Sequence, residues 1–503
     1  MNLYRLFRER FPPRRDTLFI EEGDGGRFSY DDLERHSARY AGVLSAQGVG
    51  LGDRVLVQVE KSPQAVFLYL ACLRAGAVFV PLNTGYKKAE LDYFVADAEP
   101  RLIVCAPQSP LDAAAPSSPS SRLLTLDGEG AGSFAAAAAA ATPHPDIADV
   151  GDDSLAALLY TSGTTGRPKG AMLTHANLGS NAKVLHASWG FTPQDTLLHA
   201  LPIFHTHGLF VAIHCVLLNG TGMLFLPRFD AQEVTHLLPR ASVMMGVPTY
   251  YTRLLARPDF TAETCRNMRL FVSGSAPLRA ETWEAFRERT GHAILERYGM
   301  TETGMNSSNP LHGQRRPGTV GQALPGVEIR VCGADAAALP PGEVGEIEVR
   351  GPNVFKGYWR QPEKTREEFR DDGFFRTGDL GTIDSAGYVT IVSRSKDMII
   401  SGGFNVYPKE VEQRIDEIEQ VRESAVFGVA HPDFGEGVVA ALVAEPGATA
   451  SLVPEDVIAR LKQNLAAYKV PKAVIFVDEL PRNAMGKVEK NRLRSQHAGL
   501  FGA

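Results

Sequence analysis

Apolar residues fall along this chain in short unbroken runs, and between the runs stand longer stretches with one apolar face. The run Asp53–Glu60 predicts a strand, Gln64–Ala75 a helix, and Ala77–Leu82 a second strand. Strands buried on both faces read as continuous apolar runs, and their alternation with helices implies parallel βαβ units. That alternation covers Phe28 to about Cys105 and resumes from Asp153 to Asp379, with Leu155–Tyr160 as a further buried strand. Between the two blocks lies Pro107–Pro145, rich in Ala, Ser and Pro. Its unbroken alanines, Ala135 to Ala141, predict a short surface helix. Leu3, Leu6, Phe7 and Phe11 stand among arginines and predict an amphipathic first helix. A transit peptide does not fit, because the segment lacks serine and contains Glu9. Ala65–Leu82 is the most apolar long stretch, but Arg74 interrupts it, so no membrane span is expected.

Near Arg394–Ser401 the pattern changes. Ser393–Asp397 reads as a polar hinge. Beyond it come two amphipathic helices, Pro408–Ile418 and Pro454–Leu465, and short strands at Val421–Val429, Val438–Val443 and Ala473–Val477. The expected fold is α/β. A large N-terminal domain of stacked α/β subdomains would span 1–395, and a small mobile α+β C-terminal domain 396–503.

A length of 503 residues is too long for one core, and 44% hydrophobic with 22% charged residues is ordinary globular composition. The net charge of −6 leaves no basic excess for phosphates and argues against nucleic acid as a partner. The five cysteines are scattered, with no metal or redox spacing. Five unpaired thiols suit a reducing compartment, so a cytoplasmic location is expected.

The segment most charged with chemistry is Thr161-Ser162-Gly163-Thr164-Thr165-Gly166-Arg167-Pro168-Lys169, directly after the strand at Leu155–Tyr160. Glycines let a backbone turn its N–H groups toward an anion, hydroxyls add donors, and a lysine adds charge. This is a loop for a polyphosphate, and it lacks the Gly-Lys-Ser/Thr ending of a Walker A loop. Seven further segments follow in order: Leu201–Leu209 (Leu-Pro-Ile-Phe-His-Thr-His-Gly-Leu), Ser273–Pro277, Tyr298–Thr303 (Tyr-Gly-Met-Thr-Glu-Thr), Phe375–Leu380, Ser393–Ile400, Gly402–Glu410 and Pro481–Lys487.

Together these motifs resemble the adenylate-forming superfamily, and the resemblance covers essentially the whole chain. Within it the likeness is strongest to bacterial malonyl-CoA synthetases, through His205–Leu209, Met245–Leu254 and Tyr298–Pro310. Ser393 stands where the family usually has glycine. The resemblance implies an ATP-dependent ligation of malonate to coenzyme A through malonyl-AMP. The alternative is a ligase for methylmalonate or another short acid. A fold that has lost catalysis and an oxygenating luciferase are rivals from other classes.

It also implies roles. Thr161, Ser162, Gly163, Thr164, Thr165, Gly166 and Lys169 would cradle the ATP phosphates. Thr301 would donate to a phosphate, and Glu302, with Thr164, would hold Mg²⁺. Gly274, Ser275, Ala276 and Tyr298 would line the adenine slot, while Asp379 and Arg394 would meet the ribose or a phosphate. Arg253 would bind the second carboxylate of the acid. Thr206 and Met305 would border its C2 position, and Ser275 would also contact the acid. Lys487 would bridge the acyl carboxylate and α-phosphate. The small domain would then rotate about Lys396 to present Gly402, Gly403 and Phe404 to coenzyme A, with His205 gating the thiol tunnel. His205 and His207 lack a third ligand at zinc spacing. A lysine acetyltransferase acting on Lys487 would switch off adenylation by removing its charge.

Overall fold

The computed structural model describes residues 1–111, 121–161, 168–401, 404–447, 452–465, 467–483 and 486–502. Side chains of Lys396, Phe404 and Asn405 are outside that description. Among the described residues the strands form four sheets. The fold is the expected α/β, and its elements fall close to their predicted places. Arg54–Gln58, Pro63–Ala75 and Val78–Pro81 form the first strand–helix–strand unit, and Ser133–Ala140 is the alanine helix. The first helix is shorter than its amphipathic pattern, Leu3–Arg8, with Leu3, Tyr4, Leu6 and Phe7 buried.

Two compact units divide the chain. The first comprises residues 1–328 and 349–375, and the second residues 329–348 and 376–503. In the first, a nine-stranded sheet runs in the order Gln322–Ala323, Gly304–Ser308, Leu295–Met300, Leu270–Ser273, Val243–Gly246, Thr196–His199, Gly222–Phe225, Leu18–Glu22, Arg27–Ser29. From Leu295–Met300 to Leu18–Glu22 all neighbours are parallel. Helices Pro248–Leu255 and Ala280–Thr290 press Tyr251, Leu254, Trp283 and Phe286 onto Leu198, Met244 and Phe271 of that sheet. A six-stranded sheet carries the second core, where Phe94 and Val95 of helix Lys88–Ala98 pack on Leu56, Val80, Ile103 and Leu158.

The second unit holds a sheet of Phe404–Val406, Ile399–Ser401, Gly435–Ala444 and Val421–His431, with Ala473–Phe476 paired to Gly435–Ala444. Both faces of this sheet are buried. Val426, Val438 and Leu442 meet helices Pro408–Asp416 and Pro454–Asn464, while Phe427, Val439 and Ala441 meet Leu480 and Leu493. That double burial is why its strands read as unbroken apolar runs. The strands Phe375–Ile383 and Val389–Arg394 lie in a separate four-stranded sheet.

Candidate active site

Parallel strands deliver their C-terminal ends to one edge of a sheet, and open α/β sheets hold ligands there. Thr196–His199 leads to His205 and Thr206, Val243–Gly246 to the helix bearing Arg253, and Leu270–Ser273 to Gly274, Ser275 and Ala276. Leu295–Met300 carries Tyr298 near its own end. These motifs of the nine-stranded sheet lie along one edge because each stands at the end of a parallel strand.

One corner frames the loop expected to bind phosphate. Leu155–Thr161 and Lys169–Thr174 pair antiparallel, with Thr161 opposite Lys169. The loop they hold carries Ser162, Gly163, Thr164, Thr165 and Gly166, which lie outside the described residues. Its Thr161 flank meets Glu302. Thr161 Oγ1 donates to Glu302 Oε1 at 3.3 Å, and Tyr358 Oη reaches the same oxygen at 3.1 Å. Lys169 Nζ lies 4.1 Å from the Tyr358 ring centre and 3.8 Å from Glu368 Oε1. Burial lowers the Lys169 pKa against the opposing pull of Glu368 and Glu302. Glu302 itself is buried. One buried carboxylate beside a phosphate loop is a donor set that fits magnesium, which takes its other oxygens from phosphates and water.

Thr301 and Glu302 sit at the tip of a hairpin in which Met300 faces Gly304. A Cβ on Gly299 would lie 2.1 Å from Gly304 O, so this close approach needs glycine. Thr301 also lines a small cavity with Thr206, Asn181 and Gly304.

A second corner collects polar atoms that lack partners. Thr206 Oγ1, His207 Nε2, Ser273 Oγ, and Arg297 Nε and Nη2 are all buried without a hydrogen bond. Arg297 is 3% exposed, and its Cζ lies 2.4 Å from where a Cβ on Gly274 would stand. Each unsatisfied buried group costs about 1–3 kcal/mol, more when charged, so their gathering marks a place for a polar ligand. Burial pushes the Arg297 pKa down to about 10, which leaves it cationic at neutral pH. His207 is held well below the ordinary imidazole range, first by burial and then by the charge of Arg297. It is therefore neutral, and its Nδ1 lies 3.3 Å from Ser275 Oγ. Ser275 adopts φ 71°, a left-handed conformation uncommon outside glycine. Met305 is buried, and Asn181 pins its backbone from both sides, donating to Met305 O at 2.9 Å and accepting from Met305 N at 3.1 Å.

Sequence reasoning chose Arg253 and did not consider Arg297. In the structure Arg253 is exposed on helix Pro248–Leu255 and makes no ion pair among the described residues. Arg297 stands between Glu296 and Tyr298, a mixed segment that carries no local signal of burial. His205 is partly buried, two residues before His207.

In the second unit, Asp379 stands on a strand rather than in a turn. It is buried and directly opposite Arg394, whose Nε lies 2.7 Å from Asp379 Oδ1. Lys487 is exposed after Gly486, which has φ 74°. Its N–H donates to Asn483 Oδ1 at 3.0 Å, and its carbonyl accepts from Asn483 N at 2.9 Å. Lys396 lies in the 3₁₀ turn Ser395–Asp397, and Phe404 begins strand Phe404–Val406. Gly402 and Gly403 lie outside the described residues.

Comparison with known proteins agrees with this arrangement. The model for AMP-binding enzymes matches residues 7–359, and that for the AMP-binding enzyme C-terminal domain matches residues 410–487. The crystal structure of ATP-bound MatB from Rhodopseudomonas palustris is similar at a TM-score of 0.96 and 54% identity, covering 100% of both chains. A feruloyl-CoA synthase of Amycolatopsis sp is 38% identical over 93% of this chain and 94% of its own. The mitochondrial malonate–CoA ligase of Mus musculus is 36% identical over 94% of this chain and 87% of its own. With a phosphate corner, a buried carboxylate and family matches in both parts of the chain, the protein belongs to the AMP-binding enzyme family.

Proposed function

We propose that this protein is a malonate–CoA ligase. A malonate oxygen attacks the α-phosphorus of ATP, the bond to the β-phosphate breaks, and malonyl-AMP and pyrophosphate form. The thiol of coenzyme A then attacks the acyl carbon, AMP leaves, and the thiol proton goes to solvent. The observation that supports malonate most is the buried, unpaired Arg297 beside His207 and Thr206. A dicarboxylate would satisfy that cation, whereas a monoacid would leave it desolvated and unpaired. The comparison with MatB and with a mitochondrial malonate–CoA ligase supports the same reading.

The site residues divide the work. Lys169, Thr161 and the loop after it bind the β- and γ-phosphates, and Thr301 donates to a phosphate. Magnesium, held by Glu302 and Thr164, would neutralise the triphosphate. Tyr298 stacks on adenine against Gly274–Ala276. Asp379, oriented by Arg394, accepts from the ribose hydroxyls. Arg297 and Arg253 attract the distal carboxylate, and Thr206, Ser275 and Met305 bound C2. Lys487 neutralises charge on the reacting carboxylate and α-phosphate. Residues 396–503 turn about Lys396 for the second step, bringing Gly402, Gly403 and Phe404 to coenzyme A, with His205 at the tunnel. Lys487 is exposed, as a target of an acetyltransferase must be. Five buried cysteines, none in a disulfide, support a cytoplasmic location. No helix among the described residues is long and apolar enough to cross a membrane.

Acid-dependent pyrophosphate exchange tests this reading across malonate, methylmalonate, succinate, propionate and ferulate. Malonate should give the highest kcat/KM. Ferulate or propionate above malonate would overturn the assignment, and methylmalonate above malonate would replace it with the alternative ligase.

A further inference from the structure

Lys61 is an enclosed lysine for which the reaction above has no use, and burial holds its pKa well below the ordinary lysine range. The residue follows strand Arg54–Gln58, and its amine end is shut away from solvent. It makes no ion pair with a carboxylate among the described residues. Instead Nζ lies 2.9 Å from His199 Nδ1, 3.0 Å from His199 O, and 4.3 Å from the Phe225 ring centre. Phe225 is the cross-strand neighbour of His199, so the ring face stands where a counter-ion otherwise would.

His199 is 1% exposed, and its other nitrogen, Nε2, lies 2.9 Å from Gly208 O. These partners leave one tautomer. A carbonyl only accepts, so Nε2 carries the proton. Nδ1 is then a bare lone pair, which accepts from Lys61 Nζ. Burial, the largest cause, holds His199 well below the ordinary imidazole range and keeps it neutral.

Gly208 lies in the π-helix His207–Ile213, which begins directly after Thr206. A side-chain donor inserted at a helical carbonyl competes with the usual i+4 amide and favours a wider turn. Gly208 has no room for a side chain, since a Cβ there would lie 2.1 Å from Pro202 O, so its backbone packs directly on Pro202. The carbonyl held by His199 is thus one residue from His207 and two from Thr206.

We propose that Lys61 and His199 are positioning residues for the acid pocket: Lys61 fixes the His199 tautomer, and His199 pins Gly208 so that the π turn presents Thr206 and His207. The proposal rests on those two residues facing the acid.

The test is steady-state kinetics on the full-length protein, with malonate and ATP varied separately and thermal midpoints recorded. Lys61→Met should raise the malonate KM roughly tenfold, about what one buried hydrogen bond contributes. The ATP KM should stay within about twofold. His199→Leu, which removes the donor, should do the same. His199→Gln donates through its amide without needing Lys61, so Lys61→Met should have no further effect on the malonate KM in that background. A purely structural role would instead add in the double variant and move both KM values together. Either of those results, or an unchanged malonate KM in His199→Leu, would overturn the proposal. If Lys61→Met fails to fold, Lys61→Gln replaces it, with the same expected dependence on residue 199. A control separates the underlying reading: if His207→Ala and Thr206→Gly leave the malonate KM unchanged, the pocket assignment fails, not the Lys61–His199 link.

Discussion

Arg253 and Arg297 differ above all in the medium around them. Arg253 is exposed on its helix, where an ion pair is screened and contributes about 0–1 kcal/mol. Arg297 is buried with two nitrogens unpaired, so a carboxylate reaching it gains a charge-assisted hydrogen bond in a poorly screened site. Arg297→Ala should therefore lower malonate kcat/KM by about 2–5 kcal/mol, and Arg253→Ala by about 1 kcal/mol or less, with the ATP KM little changed in both. Steady-state kinetics on the two variants decides the point. A large loss in Arg253→Ala with a small one in Arg297→Ala would return the role to the helix. The difference was not legible in the sequence, where both appear as single arginines in mixed segments. Burial distinguishes them, and burial is a tertiary property.

At the scale of elements, the hairpin from Leu295–Met300 to Gly304–Ser308 places Thr301 and Glu302. Its approach is closed by Gly299, whose absent side chain admits Gly304 O and the Met305 side chain. Gly299→Ala forces backbone apart, because the nearest obstacle is a carbonyl rather than a flexible side-chain tip. The expected cost is about 1–3 kcal/mol of stability, typical of overpacking. A fall in magnesium- and ATP-dependent exchange larger than that from Gly499→Ala, which meets nothing within 4 Å and has no left-handed backbone, should accompany it. Equal behaviour of the two variants in denaturation and exchange would show that the close approach is not needed. Strands and helices were well read here from periodicity, since Pro408–Asp416 and Val421–His431 fall within a few residues of their expected spans. The π-helix His207–Ile213 was not, because its apolar residues read equally as an α-helix.

At the scale of the whole molecule, several histidines are buried neutral. Burial lowers His214 to about 3 and His175 to about 4, and it holds His199 and His207 well below their ordinary value. The unfolded chain, titrating near 6.5, binds these protons first. The stability from keeping them neutral is complete above about pH 6.5 and is lost as pH falls toward the folded values. Each group contributes a slope of about 1.4 kcal/mol per pH unit in that window. His214→Gln can keep a bond to Tyr69, now 2.8 Å from His214 Nε2, while removing one titration. Urea denaturation between pH 7 and 4 should then give a slope shallower by one proton, and an unchanged slope would refute this account. Alternation of residues 396–503 makes a second prediction. Lys487→Ala should cripple malonate-dependent exchange yet leave thioester formation from added malonyl-AMP nearly intact, and acetylation of Lys487 should mimic it. Equal loss in both assays would contradict the division between steps.

The order of strands and helices, the phosphate loop and the motif set were determined by the sequence alone, because each is written in contiguous residues. Periodicity needs only neighbours three or four apart, and a glycine-rich loop carries its donors in one stretch. What only the tertiary structure decided are relations between distant residues. Thr161 and Tyr358 meet on Glu302. Asn181 clips Met305 across 124 positions. Lys61 reaches His199 across 138 positions, and Arg297 loses its solvent behind Gly274. Local pattern cannot encode such meetings, since they follow from which strand ends the sheet brings together and which side chains packing leaves without water.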